Sequence, residues 1–407
     1  MRRVLTVLLL TPVVLLLAGA LLTLVIAWVV EARYPPTGRF VEVEGGRLHY
    51  VEAGPPAGEA AGTVVMIHGA SSNHADAMLA FRERLAQRYR VIAFDRPGHG
   101  WSDRIAGREA GLPARQAAIL AEGMRKLGLK NAVVVGHSWG GAVAPNLALD
   151  HADVTGGLVL LSAVTHPWPG GQITWYYHPA TSFIGWLFTN TLTTPLGLLL
   201  AKPAVEGVFT PQQAPPDYYE AAKVPLVLRP RVFRANAQDV AGLHAAVTAQ
   251  APRYGEIRVP TLVIGGEADR IVWTDLHSRS FAAAVPGAEL VVLPGVGHMP
   301  QHSHGDLIAA RIEALMGRVG QGVAGRRFGA GGAGREKHEH RPDLLALALH
   351  DVAHNLVEQQ HLGAHRLAEL VLKLFHFGRD GRLDLVEGKS SGVVGHCGDN
   401  DTAGRTI

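Results

Sequence analysis

The sequence predicts an α/β protein: a mostly parallel β-sheet flanked by helices and preceded by one long apolar helix. Three observations carry that expectation. Six strand-length runs rich in Val, Ile or Leu recur at Thr63–Ile67, Arg90–Phe94, Asn131–Val135, Gly157–Leu161, Pro260–Ile264 and Glu289–Leu293. Such runs are expected of strands buried on both faces. Helical stretches at Ala75–Gln87, Pro113–Leu127 and Gly140–Asp150 fall between several of them, and this alternation is the signature of α/β architecture. Finally, Val4 to Val30 form a run of 27 residues without a charge.

That run is long enough to span a bilayer, which takes about 20 apolar residues. Pro12 and Gly19 are tolerable in a membrane helix, and Trp28 and Tyr34 suit an interfacial aromatic belt. Ala18-Gly19-Ala20 has the small-residue pattern of a signal-peptide cleavage site, but ten apolar residues follow it, from Leu21 to Val30. The length therefore favours an uncleaved anchor over residues 1–33. Arg2 and Arg3 precede the run, which puts the N-terminus in the cytoplasm and the rest of the chain on the extracytoplasmic side. No other stretch is comparably apolar, so the remainder is expected to be soluble.

After a short Pro35–Gly38 linker, Arg39–Glu44 and Arg47–Glu52 alternate around Gly45-Gly46, a hairpin signal. The first part of the core spans 39–166 and the second 251–316. Between them, 167–250 breaks the rhythm. It holds three of the seven tryptophans (Trp168, Trp175, Trp186) and four of the eight tyrosines (Tyr176, Tyr177, Tyr218, Tyr219), and reads as a mostly helical insertion. Residues 317–334 carry eight glycines and read as a linker. The tail, 335–407, holds eight of the 21 histidines and the single cysteine, Cys397.

Composition narrows the function classes. Across 407 residues, 47% are apolar and 18% charged, which excludes wholesale disorder. The net charge is +3, with no block of Lys or Arg, so no nucleic-acid partner is expected. One cysteine excludes an intramolecular disulfide framework and a Cys-rich zinc site. In the tail, His350/His354 and His361/His365 are each spaced for one helix face, as metal ligands can be. No carboxylate completes a site, and a solvated helix or a non-native reading frame accounts for the pattern as well. No metal or cofactor is assigned.

The chemistry concentrates at Gly136-His137-Ser138-Trp139-Gly140-Gly141, directly after a strand and opening a helix. That context gives G-x-S-x-G its meaning: a tight turn lifts the serine oxygen clear of the sheet, ahead of a helix N-terminus. A serine hydroxyl needs a base. His298, just past the last strand run, is the candidate; His302 and His304 are rivals expected at the surface. The base needs an orienting carboxylate. Asp269 follows the strand run ending at Ile264, and Glu267 is the alternative. Backbone amides must receive the oxyanion. The Trp139 N–H is one, and the Ala70 N–H, in the loop after Thr63–Ile67, is the other. His68 in that loop is either a packing histidine or a site-lining one.

Together, His68-Gly69, Asp95-Arg96-Pro97-Gly98-His99-Gly100, Gly136–Gly141, Asp269 and Gly297-His298 resemble the α/β-hydrolase fold family over about residues 39–316. The chain order Ser138, Asp269, His298 fits the same pattern. The resemblance implies an eight-stranded, mostly parallel sheet with a cap inserted after the sixth strand, and a structural role for the Asp95–Gly100 turn. Epoxide hydrolases and haloalkane dehalogenases resemble this set but place aspartate where Ser138 stands, so Ser138 argues against both. The expected activity is hydrolysis of a carboxylic ester or related acyl compound through an acyl-enzyme. A carbon–carbon bond hydrolase of ring-cleavage products would use the same three residues. A non-catalytic binding protein on a hydrolase scaffold is the third possibility. The aromatic residues of the insertion, with Trp101, Trp139 and Trp273, suggest an apolar small-molecule substrate or the packing of cap on core.

Overall fold

The computed structural model describes residues 2–170 and 182–326. Trp175, Tyr176, Tyr177 and the His-rich tail lie outside the described residues. The chain forms one eight-stranded sheet in the order β1-β2-β4-β3-β5-β6-β7-β8. The hairpin of β1 (Arg39–Val43) and β2 (Gly46–Ala53) turns at Gly45 and Gly46, with φ of +88° and +159°, values that favour glycine. β2 pairs antiparallel with β4 (Arg90–Phe94). Every later pairing is parallel, through β3 (Thr63–Ile67), β5 (Ala132–His137), β6 (Thr155–Leu161), β7 (Thr261–Gly266) and β8 (Glu289–Leu293). All six residues of β5 and all six of β7 are buried, as strands covered on both faces must be.

Helices cover both faces. On one side, α3 (Pro113–Lys126) and α4 (Gly140–Asp150) pack with Val65, Ile92, Val134 and Leu160. On the other, α2 (His74–Leu85) and the final helix pack with Val64, Val91, Val133 and Leu262. Because these strands run parallel, their C-terminal ends lie on one edge, where the site of such a sheet is built.

Between β6 and β7 every described element is helical. The principal ones are α5, a continuous run Phe183–Phe209 with a π turn at Thr189–Thr193, and α6 (Pro230–Gln250). The N-terminal helix is α1 (Arg2–Arg33). By length and composition both α1, over Leu10–Arg33, and α5 could cross a membrane, with mean hydropathies of 2.9 and 1.3. As expected, α5 is not comparably apolar, with less than half the mean hydropathy of α1, although it is long enough to span. Its glycines, threonines and asparagine dilute the hydropathy, and Lys202 and Glu206 add charge only near its C-terminal end.

The final helix, α7 (Gly305–Arg326), continues through the first ten residues of the Gly-rich stretch. The cause is packing. Val319 is buried, and with Leu315 it fills the space above Gly157 on β6. Burial of an apolar face outweighs the helix penalty of glycine, about 1 kcal/mol each.

Candidate active site

The turn after β5 brings Ser138 to the end of the sheet with φ +51°, a left-handed conformation that non-glycine residues adopt at a cost. Its surroundings hold it there. The Ser138 N–H donates to Leu161 O at 3.0 Å, and its carbonyl accepts from Val164 N at 3.1 Å. The flanking glycines are required first by backbone, and Gly136 also by the Ala144 side chain. A Cβ on Gly136 would lie 2.6 Å from Gly140 O, and one on Gly140 would lie 2.4 Å from Ile67 O.

Three buried side chains from three strand ends meet here. Ser138 Oγ is 3.0 Å from His298 Nε2. His298 Nδ1 is 2.8 Å from Asp269 Oδ2. Asp269 Oδ1 accepts from the amides of Ile271 and Val272, each at 2.9 Å. With Nδ1 donating to the carboxylate, Nε2 of a neutral ring is left as the acceptor facing the serine hydroxyl. Burial alone would raise the Asp269 pKa. The adjacent His298 ring and the two amides outweigh it and hold the carboxyl below its ordinary value.

The His298 loop is pinned from the cap and from β5. Gly297 N donates to Gln212 Oε1 at 2.8 Å, and a Cβ on Gly297 would lie 2.2 Å from Thr210 O. His137 Nε2 donates to His298 O at 3.0 Å. Burial, reinforced by His298, lowers the His137 pKa to about 4, so this ring is neutral. Glu267 faces outward and accepts from Gly295 N. His302 departs from the surface placement expected of it. Its side chain is only 7% exposed, with Nε2 2.7 Å from Asp76 Oδ1, which also accepts from Tyr218 OH of the cap. His304 is exposed.

The loop carrying Ala70 lies against Ser138: a Cβ on Gly69 would be 3.0 Å from Ser138 Cβ. Arg96 shapes it. This fully buried guanidinium uses all five donors, on His68 O, Gly69 O, Gln116 Oε1, Asp239 Oδ2 and His99 Nε2. It also stacks over Trp139, 4.1 Å from the ring centroid. Asp239 and Asn236 come from α6. Asn236 Oδ1 accepts from Ser71 N at 2.6 Å, one residue past Ala70. His68 is a packing residue: Nδ1 bonds Gly69 O and Nε2 accepts from Arg96 N. Among the described residues, the Ala70 and Trp139 amides have no protein acceptor.

Sequence spacing gave no hint of Arg96–Asp239, Asn236–Ser71 or Asp76–His302. Each joins segments more than 140 residues apart. Asp95 organises the neighbouring turn. His74 N, His74 Nδ1, His49 Nδ1 and Trp101 N all donate to its two oxygens. These three side chains have the proximity of a metal cluster, but four donors occupy the carboxylate's acceptor positions.

The family model for the alpha/beta hydrolase family matches residues 64–311. The chain is 32% identical over 297 residues to 2-hydroxy-6-oxo-6-phenylhexa-2,4-dienoate hydrolase of Burkholderia cepacia, covering 66% of this chain and 93% of that one. It is 29% identical to a 2-hydroxy-6-oxononadienedioate/2-hydroxy-6-oxononatrienedioate hydrolase of Dechloromonas aromatica, covering 66% and 92%. The enol-lactonase of Burkholderia xenovorans LB400 has the same fold, with a TM-score of 0.55, 22% identity, and coverage of 68% and 99%. The chain belongs to the alpha/beta hydrolase family.

Proposed function

We propose that this hydrolase cleaves a carboxylic ester through an acyl-enzyme on Ser138, and that α1 anchors it in a membrane with the N-terminus cytoplasmic. The observation that carries the chemistry is the unbroken hydrogen-bond chain Ser138–His298–Asp269. As Ser138 Oγ attacks the substrate carbonyl, its proton passes to His298 Nε2. The Ala70 and Trp139 amides receive the oxyanion. His298 then returns the proton to the leaving alkoxide as the ester C–O bond breaks. Water, deprotonated by His298, releases the acid and restores the serine. Asp269 keeps the ring in the required tautomer throughout.

A second reading, carbon–carbon bond hydrolysis of ring-cleavage products by the same three residues, is favoured by the names of the relatives. Those names describe carboxylate substrates, and binding one calls for a cation. Arg96, the buried guanidinium beside Trp139, has every donor committed and Asp239 as its counter-ion. Arg96 is therefore not free to hold that carboxylate.

The test is turnover of a chain-length series of p-nitrophenyl esters beside the phenylhexadienoate, by the full chain and its Ser138→Ala form. Ester hydrolysis should dominate, and the variant should lose about 10⁴–10⁶ in kcat. Turnover of the dienoate alone would establish the second reading. Unchanged ester turnover in Ser138→Ala would overturn the role of Ser138.

A further inference from the structure

We propose that the lipid bilayer is the partner of a second surface: the outward face of α5, from Phe183 to Leu200, lies in the membrane alongside α1. The inference rests on the reading of α1 as a membrane anchor.

The face is apolar without interruption. No Asp, Glu, Lys or Arg occurs from Val154 to Ala201. Phe183 and Ile184 are 75% and 77% exposed, and Leu199 is 75% exposed. Leu192, Leu196, Leu199 and Leu200 follow the spacing of a single helix face and are all exposed. An unbroken apolar patch of this kind on a helix marks an interaction site.

The polar groups of the segment are satisfied within the protein, as hydrocarbon demands. Thr189 Oγ1 donates to Gly185 O at 2.7 Å, Thr191 Oγ1 to Leu187 O at 2.8 Å, and Asn190 Nδ2 to Trp186 O at 2.7 Å. Pro195, four residues on, has no N–H to offer the Thr191 carbonyl, and Thr23 Oγ1 of α1 donates to it at 3.1 Å. Gly19 faces the same carbonyl so closely that a Cβ there would lie 2.9 Å from it. Small residues and a hydroxyl at a helix contact are the usual means of close packing in lipid.

The position of that contact along α1 sets the depth. Thr23 lies ten residues before Arg33 and Gly19 fourteen. At about 1.5 Å per residue, Thr191 sits roughly 15–21 Å along α1 from Arg33. Arg33 is held by Glu220, and Glu31 by Arg229, on the hydrolase side. With a hydrocarbon layer about 30 Å thick, an α1 that crosses the bilayer carries Thr191 to near its middle. At its other end α5 finishes at Phe209, and the Thr210 carbonyl lies against Gly297, next to His298. The helix that faces lipid therefore ends beside the site.

The test uses the full chain in phosphatidylcholine–phosphatidylglycerol vesicles. Single cysteines are placed by Leu15→Cys, Leu196→Cys, Leu199→Cys and Gln87→Cys in a Cys397→Ser background and labelled with an environment-sensitive fluorophore. Each form is checked for an unchanged melting curve. Lipids bearing a mid-chain nitroxide should quench the Leu196 and Leu199 labels as strongly as the Leu15 label, and leave the Gln87 label bright. Quenching at Leu15 with Leu196 and Leu199 open to aqueous iodide overturns the proposal while the anchor stands. No lipid quenching at Leu15 removes the anchor and the proposal with it. Labels at Leu196 and Leu199 shielded from both quenchers, with cross-linking between chains, identify a second copy as the occupant and overturn the bilayer.

Discussion

Asp239→Asn should damage this protein out of proportion to the single atom changed. The Asp239 carboxylate is fully buried and accepts from Arg96 at 2.6 Å, Arg104 at 2.7 Å and Gln116 at 3.0 Å. Burial lowers the Arg96 pKa to about 10, against the opposing pull of Asp239, so Arg96 is charged at neutral pH. An amide cannot balance that charge, and it turns an NH₂ group toward one of the two guanidinium groups. Breaking a buried pair in this way costs about 3–5 kcal/mol, a large part of the roughly 5–15 kcal/mol that holds a domain folded. Urea unfolding followed by circular dichroism reads the loss. The double variant Arg96→Met/Asp239→Leu removes charge and partner together, and should recover most of that stability. It should not recover activity. The carbonyls of His68 and Gly69 lose their donor, and the Ala70 amide is set by the same loop. The expected fall in kcat is about 10²–10³, the size of losing one oxyanion donor. A cost under about 1 kcal/mol for Asp239→Asn would refute the pairing argument, since an exposed pair costs that little. A parental kcat in the double variant would refute the hold of Arg96 on the loop.

Asp269→Asn should leave the fold intact and lower kcat on p-nitrophenyl esters by about 10⁴, because the amide favours the wrong His298 tautomer; a loss under tenfold would remove Asp269 from the mechanism. Gly140→Ala places a Cβ 2.4 Å from Ile67 O and 2.7 Å from His68 O, both backbone. It should depress both folded yield and ester turnover, and a fully active, equally stable variant would contradict the elbow packing. Stability should be level above about pH 7 and begin to fall near pH 6.5. Burial holds His68, His99 and His137 below the ordinary histidine value, so below about 6.5 the unfolded chain binds the extra protons. Asp95 and Asp269 contribute separately. Burial would raise them, but His74 and His298 hold them low, so their share is present above about pH 4 and is lost only below it. Urea midpoints measured from pH 8 to pH 4 check this, and a flat profile down to pH 5 would contradict the neutral buried histidines.

The sheet was legible because each strand is short, apolar and separated from the next by turn residues, and period and length carry that information locally. Ser138, Asp269 and His298 were legible for a related reason: each lies within five residues of the end of a parallel strand, so the topology brings the three together. What escaped was non-local. Nothing near Asp239 in the chain marks it as the counter-ion of Arg96, and nothing near His302 predicts that Asp76 and Tyr218 draw it inward. The length of α7 escaped because glycine content argues for a linker, while the burial of Val319 is a tertiary fact. The exposed apolar face of α5 escaped because threonines whose hydroxyls bond within the helix count as polar in a sequence but present little polarity outside it.

The bonds from α6 into the core bear on how this fold can be recombined. Asn236 and Asp239 lie on α6 but complete the loop and the guanidinium beneath Ser138. Trp139 Nε1 also donates to the Asp239 carbonyl, at 3.1 Å. An engineer exchanging substrate-binding tops between relatives would naturally cut at the ends of the insertion, near 167 and 250. Such a chimera would import a foreign helix into the floor of the candidate site. The workable joint lies at Arg229, ahead of α6, so that this helix travels with the sheet below it.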